Sequence, residues 1–193
     1  MQDEMEKTNQ SQKILISAFE CISTNGYANV SLRDIASEAG VALSQINYYF
    51  NNKEGLFVEV VKMMVQKYLK EVEERLRIDV NPKEKISDLI MYFIEVLEKE
   101  PKLFKLLYDL TSMALWSTRF SNMLSEMFKD MADIINKHIL NTLTLKSKLR
   151  NYNSRSLARM IFGAIFGIAI QVMIDSDEKE LLKTLNSIEL VFD

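Results

Sequence analysis

The sequence predicts an all-α protein, and three observations carry that prediction. Apolar residues recur at helical spacing through most segments, only five Gly and two Pro punctuate 193 residues, and no stretch sustains period-two alternation. Hydrophobic residues make up 48% of the chain and charged ones 26%, which fits a globular chain with a sizeable core and not a disordered one. The length allows one or two domains. The chain shows no repeat, low-complexity tract or long linker.

Each element has its own signal. Residues 11 to 24 set Leu15, Ala18, Phe19 and Ile22 on one face of a first helix, which Asn25-Gly26 ends. Ser31, with Asp34 three residues on, reads as the N-cap of a second helix carrying Leu32, Ile35, Ala36 and Ala39 inward. Gly40 ends that helix, and a third, short one is anchored by Ile46 and Phe50. Asn51 is expected to cap a fourth, from Lys53 to about residue 77. "NPKEK" at 81–85 opens the next, with Asn81 as cap and Pro82 in the first turn. Pro101 opens another, and further helices are expected at about 102–117, 121–142, 153–174 and 178–191. The expected organisation is a small N-terminal unit, residues 1–52, and a larger unit, residues 53–193, linked by the fourth helix.

Composition narrows the function classes. One His, one Cys and five Gly supply no Cys–His pair, phosphate loop or metal cluster, and the carboxylate spacings are those of solvated helix faces. No catalysis, cofactor or metal is expected. Cys21 falls on an apolar helical face and reads as a core residue, and His138 reads as a surface histidine. The acidic start "MQDEMEKTNQ" is no secretory signal. The apolar run 160–174 is shorter than the ~20 residues that cross a bilayer, and Gln171 interrupts it, so a helix buried in protein is expected. The expected location is cytoplasmic, with no membrane partner.

Residues 32–50 satisfy the demands of a helix-turn-helix. The first helix has a short apolar face, Ala39 is small enough for close approach, Gly40 permits the turn and Val41 plugs it. Leu43, Ser44, Gln45, Asn47 and Tyr48 are left on or near the outer side of the second helix, free for a major groove. The stretch "ILISAFECISTNGYANVSLRDIASEAGVALSQINYYFNNKEGLF", residues 14 to 57, resembles the N-terminal domain of the TetR family of bacterial transcriptional regulators. The likeness rests on Asn-Gly-Tyr after the first helix, the Ile-Ala pair, Ala-Gly-Val at the turn, the Tyr-Phe ending and Lys53-Glu54.

That resemblance implies a homodimeric regulator, usually a repressor, released from a double-stranded operator when a small molecule occupies the C-terminal unit. It implies a recognition helix over about residues 42 to 49, DNA contacts from Arg33 and Tyr48, and a phosphate contact from Lys53. Ser44 and Asn47 depart from the Gly and Tyr of many members, so relatives' operator sequences do not transfer.

The chemistry of these side chains suits DNA. Gln45 and Asn47 can each pair bidentately with an adenine edge, and Leu43 can touch a thymine methyl. Tyr48 and Tyr49 offer phosphate hydrogen bonds, and Lys53 adds a cation at the positive end of a helix. Against this, residues 1–60 hold four cations and eight acids, so the basic footprint usual for nucleic-acid binders is missing. Few neutralised phosphates mean a shallow salt dependence. A helical protein-interaction module that no longer binds DNA is the competing reading.

The rest of the chain offers a sensor and a dimer face. A Met- and aromatic-rich section supplies Phe104, Tyr108, Met113, Trp116, Phe120 and Met127 as candidate contacts for a hydrophobic or amphipathic effector of unknown identity. The same residues at helical spacing would also serve as plain core. Residues 154–174 are apolar nearly all round. With the last helix they offer Ile161, Gly163, Ile165, Gly167, Ile168, Leu181, Leu185, Ile188 and Phe192 either to a homodimer seam or to a monomer core.

Overall fold

Side-chain caps set the starts of four helices in the computed structural model, which describes residues 2–142, 149–175, 177–178 and 180–188. The helices are α1 (Gln2–Asn25), α2 (Leu32–Ala39), α3 (Leu43–Phe50), α4 (Lys53–Leu76), α5 (Pro82–Lys99), α6 (Lys102–Ala114), α7 (Thr118–Ile135), α8 (Ser154–Ile174) and α9 (Glu180–Thr184). No strand occurs among the described residues. Ser31 Oγ accepts from the Asp34 N–H at 3.2 Å while the Asp34 carboxylate accepts from the Ser31 N–H at 2.7 Å, a reciprocal cap at the start of α2. Those bonds hold the Asp34 carboxyl below its ordinary range. Asn81 accepts from the N–H groups of Lys83 and Glu84, and Asn153 does the same for Arg155 and Ser156.

The α3–α4 corner differs by one residue from expectation. Asn52, not Asn51, caps α4, its Oδ1 accepting from the Gly55 N–H at 2.8 Å. Asn51 instead takes a left-handed φ of 64° that ends α3. The corner closes tightly, because a Cβ on Gly55 would lie 2.3 Å from the Phe50 carbonyl oxygen.

The inner face of α1 is Ile14, Ala18 and Ile22, fully buried against α2, α4 and α6, whereas Leu15 and Phe19 lie half-buried at its margin. Cys21 is likewise half-buried. α6 ends at Ala114 and not 117, since the N–H groups of Trp116 and Ser117 both turn back to the Met113 carbonyl. α7 runs into a wide π-type turn, Asn136–Leu140. That turn carries His138 inward: its side chain is 12% exposed, its Nε2 has no hydrogen-bond partner, and Glu73 stands 3.6 Å away. Burial lowers its pKa, so the expected surface histidine is a neutral, packed one.

α8 is long and apolar enough to cross a membrane by length and composition. One face, including Leu157, Ala158, Ile161, Phe162, Ile165 and Ala169, is buried against neighbouring helices. Its opposite face, with Met160 and Ile174 exposed, is open, so the expected helix buried in protein is covered on one side only within the chain. Of the helix expected at 178–191, the described residues show α9 giving way to a tight turn at Leu185–Ser187; residues 189–191 and Phe192 lie outside the described residues.

The corner yields a test. Alanine is the better helix former by about 1 kcal/mol, yet Gly55→Ala is expected to lower stability by about 1–3 kcal/mol because a backbone carbonyl, not a flexible side chain, must move. Urea unfolding measures it, and an unchanged midpoint would show that the corner relaxes freely.

Candidate nucleic-acid interface

α3 is held from below and bare above. Ile46 is fully buried and Phe50 nearly so, which fixes the helix against α2 and α4. Ser44, Asn47 and Tyr48 stand at i, i+3 and i+4 on its outer side, all exposed, with Tyr48 at 71%. Leu43, Gln45 and Tyr49 are half-buried, and Arg33 is exposed on α2. An outer face of amide, hydroxyl and phenol groups on a helix with a rigid underside has the chemistry for reading base edges and phosphates.

Three of the predicted contact residues already have partners. Gln45 Oε1 accepts from the Ala42 N–H at 3.1 Å; alanine offers no acceptor of its own, so this side chain closes the start of α3. Tyr49 Oη donates to Gln10 Oε1 at 3.3 Å. Lys53 donates to the Tyr27 carbonyl and lies 4.2 Å above the Tyr27 ring. Its partial burial depresses its pKa, opposed by the charges of Asp109 and Asp34.

The residues that tie α1, the Tyr27 turn and the start of α4 to α6 and α7 come from far along the chain, and no local pattern announced them. The Tyr27 N–H donates to Asp109 Oδ2 on α6 at 2.8 Å. Phe57, fully buried, has the Tyr27 ring 4.6 Å away and the Phe120 ring 5.7 Å away. Arg119 pairs with Glu54 at 3.1 Å, and Lys102 with Glu20. Two of the eight acids of residues 1–60 are thus matched by cations from α6 and α7.

The sensor candidates do not form one chamber. Phe104 is buried, and Tyr108, half-buried beside it, donates its hydroxyl to the Phe166 carbonyl at 2.7 Å. Phe120 belongs to the Phe57 stack, while Met127 lines a hollow of about 250 Å³ between α4 and α7. Met113 is half-buried, and Trp116 is 89% exposed at the α6–α7 turn, outside any interior site. Phe128, from the same Met- and aromatic-rich section, and Phe162 and Phe166, absent from the predicted set, continue the aromatic cluster from Tyr108. Of the dimer candidates, Ile161, Ile165 and Leu185 are buried within the chain, and Ile168, Leu181 and Ile188 are half-buried. Gly163 is exposed and Gly167 partly so, and a Cβ on either would meet nothing within 4 Å.

Residues 14–60 match the model for bacterial regulatory proteins of the tetR family. The chain is 23% identical over 188 residues to the fatty acid metabolism regulator protein of Bacillus subtilis, covering 95% of this chain and 93% of that one. It shares the fold of the transcriptional regulator FadR from Bacillus subtilis, solved in complex with stearoyl-CoA, with a TM-score of 0.73 at 22% identity over 94% of this chain and 96% of that one. A transcriptional regulator from Rhodococcus sp. Rha1 gives a TM-score of 0.80 at 12% identity, covering 94% and 95%. The resemblance to the tetR family of bacterial transcriptional regulators read from residues 14–57 is therefore borne out by the match over residues 14–60.

Proposed function

We propose that the protein is a dimeric repressor whose α3 reads an operator in the major groove and which an amphipathic small molecule releases. The observation that carries this reading is the outer face of α3, where Ser44, Asn47 and Tyr48 are exposed above a buried Ile46 and Phe50. In this reading residues 1–52 form the DNA-binding unit and residues 53–193 the effector and dimerisation unit. Asn47 reads a base edge, Tyr48 and Arg33 hold phosphates, and Leu43, Ser44 and Tyr49 fill in around them. Gln45 contacts DNA only by giving up its bond to the Ala42 N–H. Lys53, already committed to Tyr27, positions the unit and adds its charge to the start of α4 without leaving that site.

Coupling to an effector is supported by two neighbouring residues of α6. Tyr108 donates to the Phe166 carbonyl of α8, and Asp109, next in sequence, accepts from the Tyr27 N–H. A ligand that shifts Phe166 or Tyr108 therefore acts on the residue pair that holds Tyr27 and, through it, Lys53. The amphipathic class of effector is suggested by the aromatic cluster around Tyr108 and by the FadR neighbour solved with stearoyl-CoA. The dimer seam proposed is the open face of α8, centred on Gly163 and Gly167 with Met160 and Ile174 to either side. Such a regulator works in the cytoplasm.

Three outcomes test the reading. In a bandshift with the DNA upstream of its own coding sequence, Asn47→Ala is expected to lose about 1–3 kcal/mol of discrimination at one base position while non-specific binding persists. Equal loss on all sequences would assign Asn47 to the backbone or to folding. The log–log salt dependence of the native complex is expected to be much shallower than a slope of about −10, which would require many phosphate contacts. Finally, Gly163→Ala combined with Gly167→Ala favours the isolated helix by up to about 1 kcal/mol per site yet weakens self-association in sedimentation experiments, because the added methyl groups separate the two copies of α8. Unaltered association would place the seam elsewhere.

A further inference from the structure

The surface between α7 and α8 opens into two adjoining hollows that share Arg159. The inner one, about 140 Å³, is lined by Phe128, Phe162, Gly163, Phe166 and Arg159. The outer, about 330 Å³, is lined by Lys129, Ala132, Asp133, Arg155, Ser156 and Arg159. The three phenyl rings lie 6.0 to 6.2 Å apart by centroid, with Phe162 buried and the other two half-buried. Space beside them is unfilled: Gly163 lines the hollow, and a Cβ there would meet nothing within 4 Å.

The rim has the opposite character. Three cations, Lys129, Arg155 and Arg159, face one carboxylate, Asp133, in a chain whose net charge is −3. Asp133 is already taken, ion-paired with Arg155 Nε at 2.7 Å. Arg159 and Lys129 make no ion pair among the described residues. An apolar cleft with unpaired cations at its mouth is complementary to a molecule that is greasy at one end and negative at the other. The inner hollow is smaller than a drug-sized pocket of about 300–1,000 Å³, so it holds only a short apolar segment and the head group must supply much of the selectivity.

We propose that this groove binds an amphipathic anion, its apolar end among Phe128, Phe162 and Phe166 and its carboxylate or phosphate head against Arg159 and Lys129. The assignment deepens the effector reading above and rests on it for its regulatory meaning. Phe166 joins the two, because its carbonyl is the one that Tyr108 holds.

The test uses the full-length protein and four probes with the same ten-carbon chain, each below its micelle concentration: decanoate, decyl phosphate, decanol and decyltrimethylammonium. Calorimetric titration is expected to show at least one of the two anions binding about tenfold or more tightly than decanol, and the cation binding least. Which anion is tighter identifies a carboxylate or a phosphate as the natural head. The double variant Arg159→Gln/Lys129→Gln, at two exposed positions, is expected to erase that preference while leaving decanol binding unchanged. Equal binding of all four probes, or a preference that survives the double variant, overturns the proposal. Bandshifts with and without the probes separate this from the broader reading. Native DNA binding with no head-group preference sinks the groove alone. Head-group-selective binding that leaves the DNA complex intact supports the groove and sinks release by this ligand.

Discussion

The outer face of α3 is set by one close backbone approach, the Phe50 carbonyl lying where a side chain of residue 55 would have to be. That contact lets α3 end directly on the first turn of α4, and the left-handed Asn51 and the Asn52 cap make the reversal in two residues. α4 then carries Phe57 into the space between Tyr27 and Phe120 within its second turn. The orientation of three exposed polar side chains thus depends on a glycine, a strained asparagine and a buried ring, none of which lies on the outer face of α3. A short helix of eight residues has too few internal bonds to hold itself, and its direction comes from these neighbours.

Charge is shared across the same junction. Counted by segment, residues 1–60 look hostile to a polyanion, with twice as many acids as cations. Counted in space, Glu20 and Glu54 have Lys102 and Arg119 beside them, and the Asp34 carboxylate is tied into the cap of α2. Exposed ion pairs of this kind add little stability, typically under about 1 kcal/mol each. Their larger consequence is electrostatic: they remove negative field near α3 only while α6 and α7 stay where they are. A displacement of those helices would alter the position of the reading face and its charge together.

The legible part of the structure is the local part. The cap at Ser31, the stop at Gly40 and the Asn81-Pro82 start depend on neighbours within four residues, and the anchors Ile46 and Phe50 repeat at helical spacing, so pattern reading found them. Ile14 in place of Leu15 shows the limit, since both lie within one turn of the same apolar stripe and the choice belongs to α2, α4 and α6 packing on it. Tyr27 with Asp109 is 82 residues apart in sequence, and nothing near either residue foretells the bond. The partner of Lys53 was illegible for a further reason: it is the backbone carbonyl of Tyr27, a group that every residue possesses. Trp116 failed for another reason. Hydrophobic type predicts burial only on average, and two amides turning back onto one carbonyl placed this ring outside.

α8 carries the remaining logic of the molecule because its three sides do different work. One side is core, one is the open strip through Gly163 and Gly167, and the side facing α7 forms the cleft at Phe162, Phe166 and Arg159. Gly163 stands on the border of the last two. A partner helix resting on the strip would form part of the mouth of the cleft, so a ligand there would touch both the seam between copies and, through Phe166, the hydrogen bond that Tyr108 makes. By linkage, whatever such a ligand does to the pairing of two copies, pairing does equally to the ligand's affinity. Under the two proposals for α8, a residue larger than glycine at 163 would enter the cleft and hold the seam apart at once, so sensing and assembly would constrain each other at this position.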